Sequence, residues 1–242
     1  MSHLRRVPIR RTASLLVVVL LGVLVASPAE GGSAQSSSCG VQAFSYAGLQ
    51  ADSTAHGVSA TLDSTAVPLV SQGHVGGWIG LGGTTAGPNG TAEWLQTGLA
   101  AFPGDKTMQM YYEVTEAGSQ PRYVTLGSHV GSGVRHHFAV VEMKTRPSWW
   151  RVWLDNKPVS PPIHLPGSHG TWYPQAVAEN WNGGAGACNG FAYRFTDVAL
   201  AQTEGGSHWR PLQQSYEFHD PGYQVLPISS VPRTFVATSL NY

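Results

Sequence analysis

The sequence predicts an all-β protein, an antiparallel β-sandwich, with a barrel as the alternative. Only 12% of the residues are charged, whereas glycine (29 residues) and proline (16 residues) are abundant. This composition is typical of many short strands joined by tight turns. Apolar and polar residues alternate with a period of two, and no segment beyond the N-terminal region has the 3.6-residue period of an amphipathic helix. Turn residues separate these runs at regular intervals, as they do in sandwiches and barrels.

Ten segments have the composition of β-strands. Each is rich in β-branched or aromatic residues and is bounded by Gly, Pro, Asn, Asp or Ser. In one of them Trp150 and Val152 share a face, which is period-two spacing. The Asp155-Asn156 pair that follows predicts a hairpin turn. The predicted strands are Val58–Leu62, Gly76–Leu81, Ala92–Leu99, Thr107–Thr115, Arg122–Leu126, Val134–Lys144, Trp149–Leu154, Gln175–Trp181, Phe191–Leu200 and Phe235–Ser239.

The N-terminal region has the three-part pattern of a secretory signal peptide. Four arginines precede the apolar stretch Leu15–Ala26, and small residues follow it. The apolar stretch has about 12 residues, fewer than the roughly 20 that span a bilayer, so a retained anchor is the weaker alternative. We expect a signal peptide over residues 1–29, a flexible lead-in over 30–38 and a single β-sandwich domain over 39–242. The mature protein is then expected to be secreted, monomeric and free of the membrane.

Charge argues against nucleic acid as a partner. Four of the 14 basic residues lie in the signal peptide and none of the 14 acidic residues does. The mature chain is therefore mildly acidic and lacks the basic surface that binding to phosphates requires.

The chain has two cysteines, Cys39 and Cys188. Outside the cell an isolated pair usually forms a disulfide, with two free thiols as the alternative. The bond would close a loop of about 150 residues and contribute roughly 4–5 kcal/mol on the chain-entropy model.

Metal, nucleotide and serine-hydrolase motifs are missing, so we expect no metal and no cofactor. His136 and His137 are adjacent, and a strand would point them to opposite faces, so the pair is not expected to bind one metal ion from a single face.

Four segments together resemble the glutamic peptidases, or eqolisins. They are Trp78–Gly83 (WIGLGG), Glu93–Gly98 (EWLQTG), Tyr111–Glu113 (YYE) and Ala178–Trp181 (AENW). Eqolisins are secreted acid endopeptidases with a WxGxxG strand, an LQTG-type strand with a catalytic glutamine, an aromatic strand and an AEW strand with a catalytic glutamate. The similarity runs from about residue 44 to residue 201.

The resemblance implies a two-sheet, concanavalin A-like jelly roll and hydrolysis of polypeptides at acidic pH without a cofactor. It assigns the catalytic roles to Gln96 and Glu179. The carboxylate would take a proton from water that attacks the scissile carbonyl, and the glutamine amide would stabilise the oxyanion. The implied substrate-binding residues are Trp78, Trp94, Tyr112, Glu113 and Trp181.

Strand periodicity is compatible with these roles. Gln96 shares a face with Trp94, and Glu179 shares a face with Val177, so a sheet could present both in one groove. In eqolisins a tryptophan directly follows the glutamate, whereas Asn180 intervenes here. Without a bulge, Trp181 would then lie on the same face as Glu179.

Two other functions are compatible with the same face. A non-catalytic, lectin-like sandwich could bind a glycan or a peptide there, because the fold alone does not determine function. A glycoside hydrolase would use two carboxylates, such as Glu93, Glu113 or Glu179, at a separation of about 5–10 Å. Close approach of the Gln96 amide and the Glu179 carboxyl in an open groove would favour peptide hydrolysis.

Overall fold

The computed structural model describes residues 44–182, 189–230 and 233–240, all within one compact unit. The predicted signal peptide, the lead-in and both cysteines lie outside the described residues. Among those described, no helix is long and apolar enough to cross a membrane.

The described chain consists of 16 β-strands and two short 3-10 helices, Pro88–Gly90 and Glu204–Gly206. The strands are β1 (Phe44–Ala51), β2 (Gly57–Ser64), β3 (His74–Gly83), β4 (Glu93–Ala101), β5 (Met108–Thr115), β6 (Arg122–Val130), β7 (His136–Glu142), β8 (Trp149–Leu154), β9 (Lys157–Pro158), β10 (Ile163–His164), β11 (Gln175–Trp181), β12 (Ala192–Ala201), β13 (Trp209–Pro211), β14 (Ser215–His219), β15 (Tyr223–Ser229) and β16 (Arg233–Ser239).

These strands form two antiparallel sheets, which confirms the predicted fold class. One sheet has seven strands in the order β14-β1-β11-β3-β4-β5-β6. The other has nine strands, with β10-β8-β7-β2-β12-β16-β15 as its main path, β13 beside β12 and β9 beside β8. In the seven-stranded sheet β3 lies between β11 and β4, so the glutamate and glutamine segments of the sequence are separated by one strand.

The main core lies between the two sheets and is built by alternation along each strand. In β4, Leu95 and Leu99 are fully buried in the main cluster, whereas Gln96 on the opposite face is only partly buried. The sheets approach closely where β3 meets β12. A methyl group added to Gly77 would lie 2.5 Å from the ring of Tyr193, so only glycine fits at this contact.

All ten predicted strands are present, and two of them, Trp149–Leu154 and Gln175–Trp181, have the predicted bounds. The predicted hairpin turn is also confirmed. Asp155 and Asn156 have φ angles of 48° and 64° and connect the paired strands β8 and β9, as a two-residue type I′ turn does. Strand β1 was not predicted, because its sequence FSYAGLQA is poor in β-branched residues.

Glu93 is a carboxyl group in the interior of the sandwich. Its position in β4 matches that of Leu95, and the residue is fully buried. Burial, with a smaller contribution from the charge of Glu116, raises the pKa of Glu93 to about 7, although the nearby backbone amide of Ala117 lowers it in part. Neither carboxylate oxygen has a hydrogen-bond partner of good geometry. The folded state of the protein therefore favours the protonated, neutral form of the Glu93 carboxyl.

We expect the stability of the protein to fall as the pH rises from about 4.5 to about 7. The folded pKa of Glu93, about 7, is above the usual value of 4.5. The stability is highest below about pH 4.5, where the carboxyl is protonated in both the folded and the unfolded state. It falls as the carboxyl of the unfolded chain ionises and levels off above about pH 7, where the folded carboxyl ionises as well. The difference between the two pKa values corresponds to a loss on the order of 3 kcal/mol. Glu93→Gln should remove this loss in denaturant unfolding at pH 4.5, 6 and 8. The exposed Glu217→Gln is the control, and equal pH dependence in wild type and Glu93→Gln would contradict the prediction.

Candidate active site

An open cleft of about 770 Å³ lies on the outer face of the seven-stranded sheet. Strands β1, β3, β4, β5, β11 and β14 contribute side chains to it. Its floor contains a second, smaller apolar cluster of Trp78, Ala100, Tyr111 and Val177. The polar side chains that line the cleft are Tyr46, Gln50, His74, Thr84, Gln96, Glu113, Gln175 and Glu179.

Glu179 is the most enclosed of the carboxylates that line the cleft. The residue is 9% exposed. Trp78 donates a hydrogen bond from Nε1 to Glu179 Oε2 at 3.0 Å. His74 Nε2 lies 3.4 Å from Glu179 Oε1 and forms an ion pair with it when the imidazole is protonated. These two neighbours orient the carboxylate and partly replace the water that burial removes.

Gln96 extends from β4 into the same cleft. It donates a long hydrogen bond of 3.4 Å from Nε2 to the Tyr111 hydroxyl. Its cross-strand neighbour on β3 is Gly80, where a methyl group would lie 2.8 Å from Gln96 Cβ. The glycine therefore leaves room for the glutamine side chain beside β3.

The sheet register shows how Gln96 and Glu179 are related. Gln96 is level with Gly80 on β3, whereas Glu179 is level with Gly76, four residues away along that strand. The two side chains share the cleft without facing each other directly, and Gln175 is the β11 residue level with Gln96.

Tyr111 lies close to both the glutamine and the glutamate. Its hydroxyl accepts the hydrogen bond from Gln96, and a methyl group at Gly76 would lie 3.5 Å from that hydroxyl. Because Gly76 is the cross-strand neighbour of Glu179, the hydroxyl stands between the two side chains. Tyr111 thus connects the two halves of the site.

Glu113 is a second carboxyl group in the cleft. It is the cross-strand neighbour of Gln96 on β5 and accepts a hydrogen bond of 3.1 Å from Trp94 Nε1. Burial raises the pKa of Glu113, and the charge of Glu179 raises it further, while the Trp94 hydrogen bond and His74 oppose the shift. Glu113 therefore keeps its proton to a higher pH than a free glutamate does.

Two tyrosines of the cleft remain neutral over a wide pH range. Burial, followed by the charge of Glu179, raises the pKa of both Tyr46 and Tyr111 above the usual value of 10.0. A neutral phenol can donate a hydrogen bond to a carboxylate or to a substrate carbonyl.

Aromatic rings surround the Glu179 end of the cleft. Phe44 stacks on Trp181 with ring centroids 6.2 Å apart, and His74 lies 5.5 Å from Trp181 and 5.8 Å from Phe102. Phe44 and Trp181 are 44% and 36% exposed. These rings provide an accessible apolar surface next to a nearly buried carboxylate.

Most of the predicted site residues line the cleft. Trp78, Trp94, Gln96, Glu113 and Glu179 all contribute to it, as does Trp181. The register of β11 with β1 and β3 continues through residue 181, so no bulge absorbs Asn180. Asn180 instead points inward and donates a hydrogen bond of 2.9 Å to the Tyr223 hydroxyl.

The structure corrects the expectation for Tyr112. This residue is buried in the main core between the sheets, because it lies on the face of β5 that also carries Val114. Its neighbour Tyr111 is on the cleft side. Glu93, considered for a glycoside hydrolase, also faces the interior and is not among the residues that line the cleft.

His74, Tyr46 and Tyr111 are site residues that the sequence analysis missed. His74 is four residues before Trp78 in β3 and therefore on the same face, a spacing that could have suggested it. Tyr46 lies in β1, which was not predicted as a strand. For Tyr111, two adjacent tyrosines left the face ambiguous.

Comparisons with solved structures agree with the motifs. The fold is similar to that of scytalido-glutamic peptidase solved with a peptide-based transition-state analogue, at a TM-score of 0.55 and 20% identity over 81% of this chain and 98% of that one. It is also similar to SCP-B, an eqolisin solved with the tripeptide Ala-Ile-His, at a TM-score of 0.50 and 21% identity over 81% and 97% of the two chains. No protein-family model and no curated protein matches the sequence. The chain has the fold of the glutamic peptidases.

Proposed function

We propose that the protein is a secreted endopeptidase of the glutamic type, which hydrolyses peptide bonds at acidic pH with Glu179 and Gln96. The main support is the nearly buried Glu179, which Trp78 and His74 hold at the wall of an open cleft that also contains Gln96. An ionisable group kept in a cleft at the expense of its hydration is typical of catalytic sites. The shared fold and the signal-peptide pattern are consistent with this assignment.

In this proposal Glu179 acts first as a general base. It takes a proton from a water molecule, and the water oxygen forms a bond to the scissile carbonyl carbon. The carbonyl oxygen becomes an oxyanion, which accepts a hydrogen bond from Gln96 Nε2. The carboxyl group then returns the proton to the amide nitrogen as the carbon–nitrogen bond breaks.

The neighbours of the pair have supporting roles. Protonated His74 forms an ion pair with the Glu179 carboxylate and helps to orient it at the wall of the cleft. The neutral Tyr111 hydroxyl next to Gln96 orients the amide towards the cleft. The exposed rings of Phe44 and Trp181 offer an apolar surface to side chains of an extended polypeptide.

A direct assay tests the proposal. The purified chain without residues 1–29 is incubated with an unfolded protein between pH 2 and pH 8, and the products are identified by mass spectrometry. We expect internal cleavage at acidic pH and weaker cleavage at neutral pH.

A glycan-binding module is the second candidate, because exposed aromatic rings also stack on sugars. An oligosaccharide array probed with the same preparation distinguishes the two. Binding of glycans without any cleavage of the unfolded protein would rule out the peptidase and favour the lectin-like function.

A further inference from the structure

Four potential metal ligands meet at a second site, none of whose residues lines the cleft. His56, Glu142, His169 and Glu204 each place one ligand atom within 4.8 Å of those of the other three. His56 directly precedes β2 and Glu142 ends β7. His169 lies between β10 and β11, and Glu204 begins the 3-10 helix after β12. The site therefore connects four segments that are far apart in sequence.

Glu142 is the centre of this cluster. Its side chain has no exposure to solvent, and its two oxygens contact the two histidines, at 2.6 Å from His56 Nδ1 and 3.0 Å from His169 Nδ1. His169 Nδ1 also lies 3.5 Å from Glu204 Oε1. The other three side chains are 23–45% exposed, so an ion can reach the site from solvent.

Backbone amides orient both carboxylates. Ser148 donates from its backbone nitrogen to Glu142 Oε1 at 2.6 Å, and Thr145 donates in the same way to Glu204 Oε2 at 3.1 Å. Both donors have positive φ angles, 63° for Ser148 and 62° for Thr145, which non-glycine residues rarely adopt. The turn after β7 is thus held in an unfavourable conformation in which its amides support these two carboxylates, as outer-shell groups do in metal sites.

The charge of the cluster favours a cation. Among the described residues, no lysine or arginine forms an ion pair with Glu142 or Glu204. With neutral imidazoles the site carries two negative charges, one of them fully buried, which is costly without a counter-ion.

The ligand types select the class of ion. Two imidazoles and two carboxylates are a donor set that suits zinc, whereas calcium and magnesium prefer oxygen ligands alone. Ligands around a tetrahedral zinc ion lie about 3.3 Å apart, given bond lengths of about 2.0–2.1 Å. The present spacing of 2.6 to 4.8 Å brackets this value.

We propose that His56, Glu142, His169 and Glu204 form a structural binding site for one divalent transition-metal ion, with Zn²⁺ as the preferred ion. The ion would replace the protons that the histidines and carboxylates share. It would join the segments next to β2, β7, β11 and β12 and stabilise the folded state, because the unfolded chain offers no assembled site.

Zinc titration of the untagged protein at pH 7.5 tests this proposal. We expect one Zn²⁺ per chain by calorimetry, and a rise in Tm of about 5–10 °C at a free zinc concentration a hundred times Kd, reversed by EDTA. His169→Ala and Glu204→Gln should each weaken binding at least about tenfold, as even outer-shell changes at metal sites do. Both residues are partly exposed, so these variants should fold. Co²⁺ should give the visible absorption of a four-coordinate site.

His136→Ala is the matched control. His136 lies at the other end of β7 and pairs through Nδ1 with Asp155 at 2.8 Å, but among the described residues this pair belongs to no cluster of three or more potential ligands. Its zinc affinity and zinc-induced Tm shift should equal those of wild type. Failure of the wild type to bind zinc, or equal binding by His169→Ala, would overturn the proposal and leave an ion-pair network. Binding that disappears in His74→Ala instead would also overturn it, since the ion would then lie in the cleft.

Discussion

Replacing Glu179 with glutamine is expected to lower kcat for peptide hydrolysis by about 10³-fold or more, because the water then has no general base. Glutamine has nearly the same shape, and its side-chain oxygen can still accept the hydrogen bond from Trp78 Nε1. The fold should therefore be retained, with a Tm close to that of wild type. The measurement is initial-rate kinetics on a fluorogenic peptide at the pH of maximal activity.

Two further glutamates make this experiment specific. Glu217→Gln changes an exposed residue of β14 that does not line the cleft and should leave the rate unchanged. Glu113→Gln should have a smaller effect than Glu179→Gln, because Glu113 is hydrogen-bonded to Trp94 and its burial raises its pKa, which favours the neutral form. Activity that survives in Glu179→Gln but disappears in Glu113→Gln would contradict our assignment and identify Glu113 as the base.

Gln96→Ala is expected to lower kcat by about 10²–10³-fold, the usual cost of removing one oxyanion donor. The oxyanion exists only in the transition state and the intermediate, so KM should change much less than kcat. The substitution shortens a partly buried side chain at the cleft and leaves the core residues Leu95 and Leu99 in place.

Gln175→Ala is the control for this experiment. Gln175 also lines the cleft and is level with Gln96 across β3, but its amide donates to Gln50 Oε1 at 3.0 Å. Its loss should affect kcat less than tenfold. If Gln175→Ala lowers kcat as much as Gln96→Ala does, the assignment of Gln96 as the oxyanion donor is wrong, and Gln175 has that role.

Much of the fold could be predicted because a β-strand can be recognised from the residues of its own segment. The alternation in Trp149–Leu154 and Gln175–Trp181 depends on which face of each strand is buried, and both strands have the predicted bounds. Strand β1 escaped prediction because its pairing with β11 and β14, rather than its own composition, stabilises it.

The site was predictable only in part. The order of the four motifs along the chain identified Gln96, Glu179 and the tryptophans. Because alternate residues of a strand share a face, Trp181 was placed on the same face as Glu179. The alternation within YYE could not be assigned to faces in the same way, since either tyrosine could face the core. The structure puts Tyr112 in the core between the sheets and Tyr111 in the buried cluster on the cleft side. The four-residue offset between Gln96 and Glu179 depends on the register of three strands, which no single segment encodes.

The sequence by itself determined the fold class, most strand positions and several of the residues that line the cleft, because alternation and turn residues are local properties of the chain. Tertiary structure alone decided which distant side chains meet. It placed Tyr111 between Gln96 and Glu179, and it brought His56, Glu142, His169 and Glu204 together. The sequence alone predicted no metal ligands, since the spacing of these four residues matches no motif. Only the pairing and packing of the strands gathers them into one cluster.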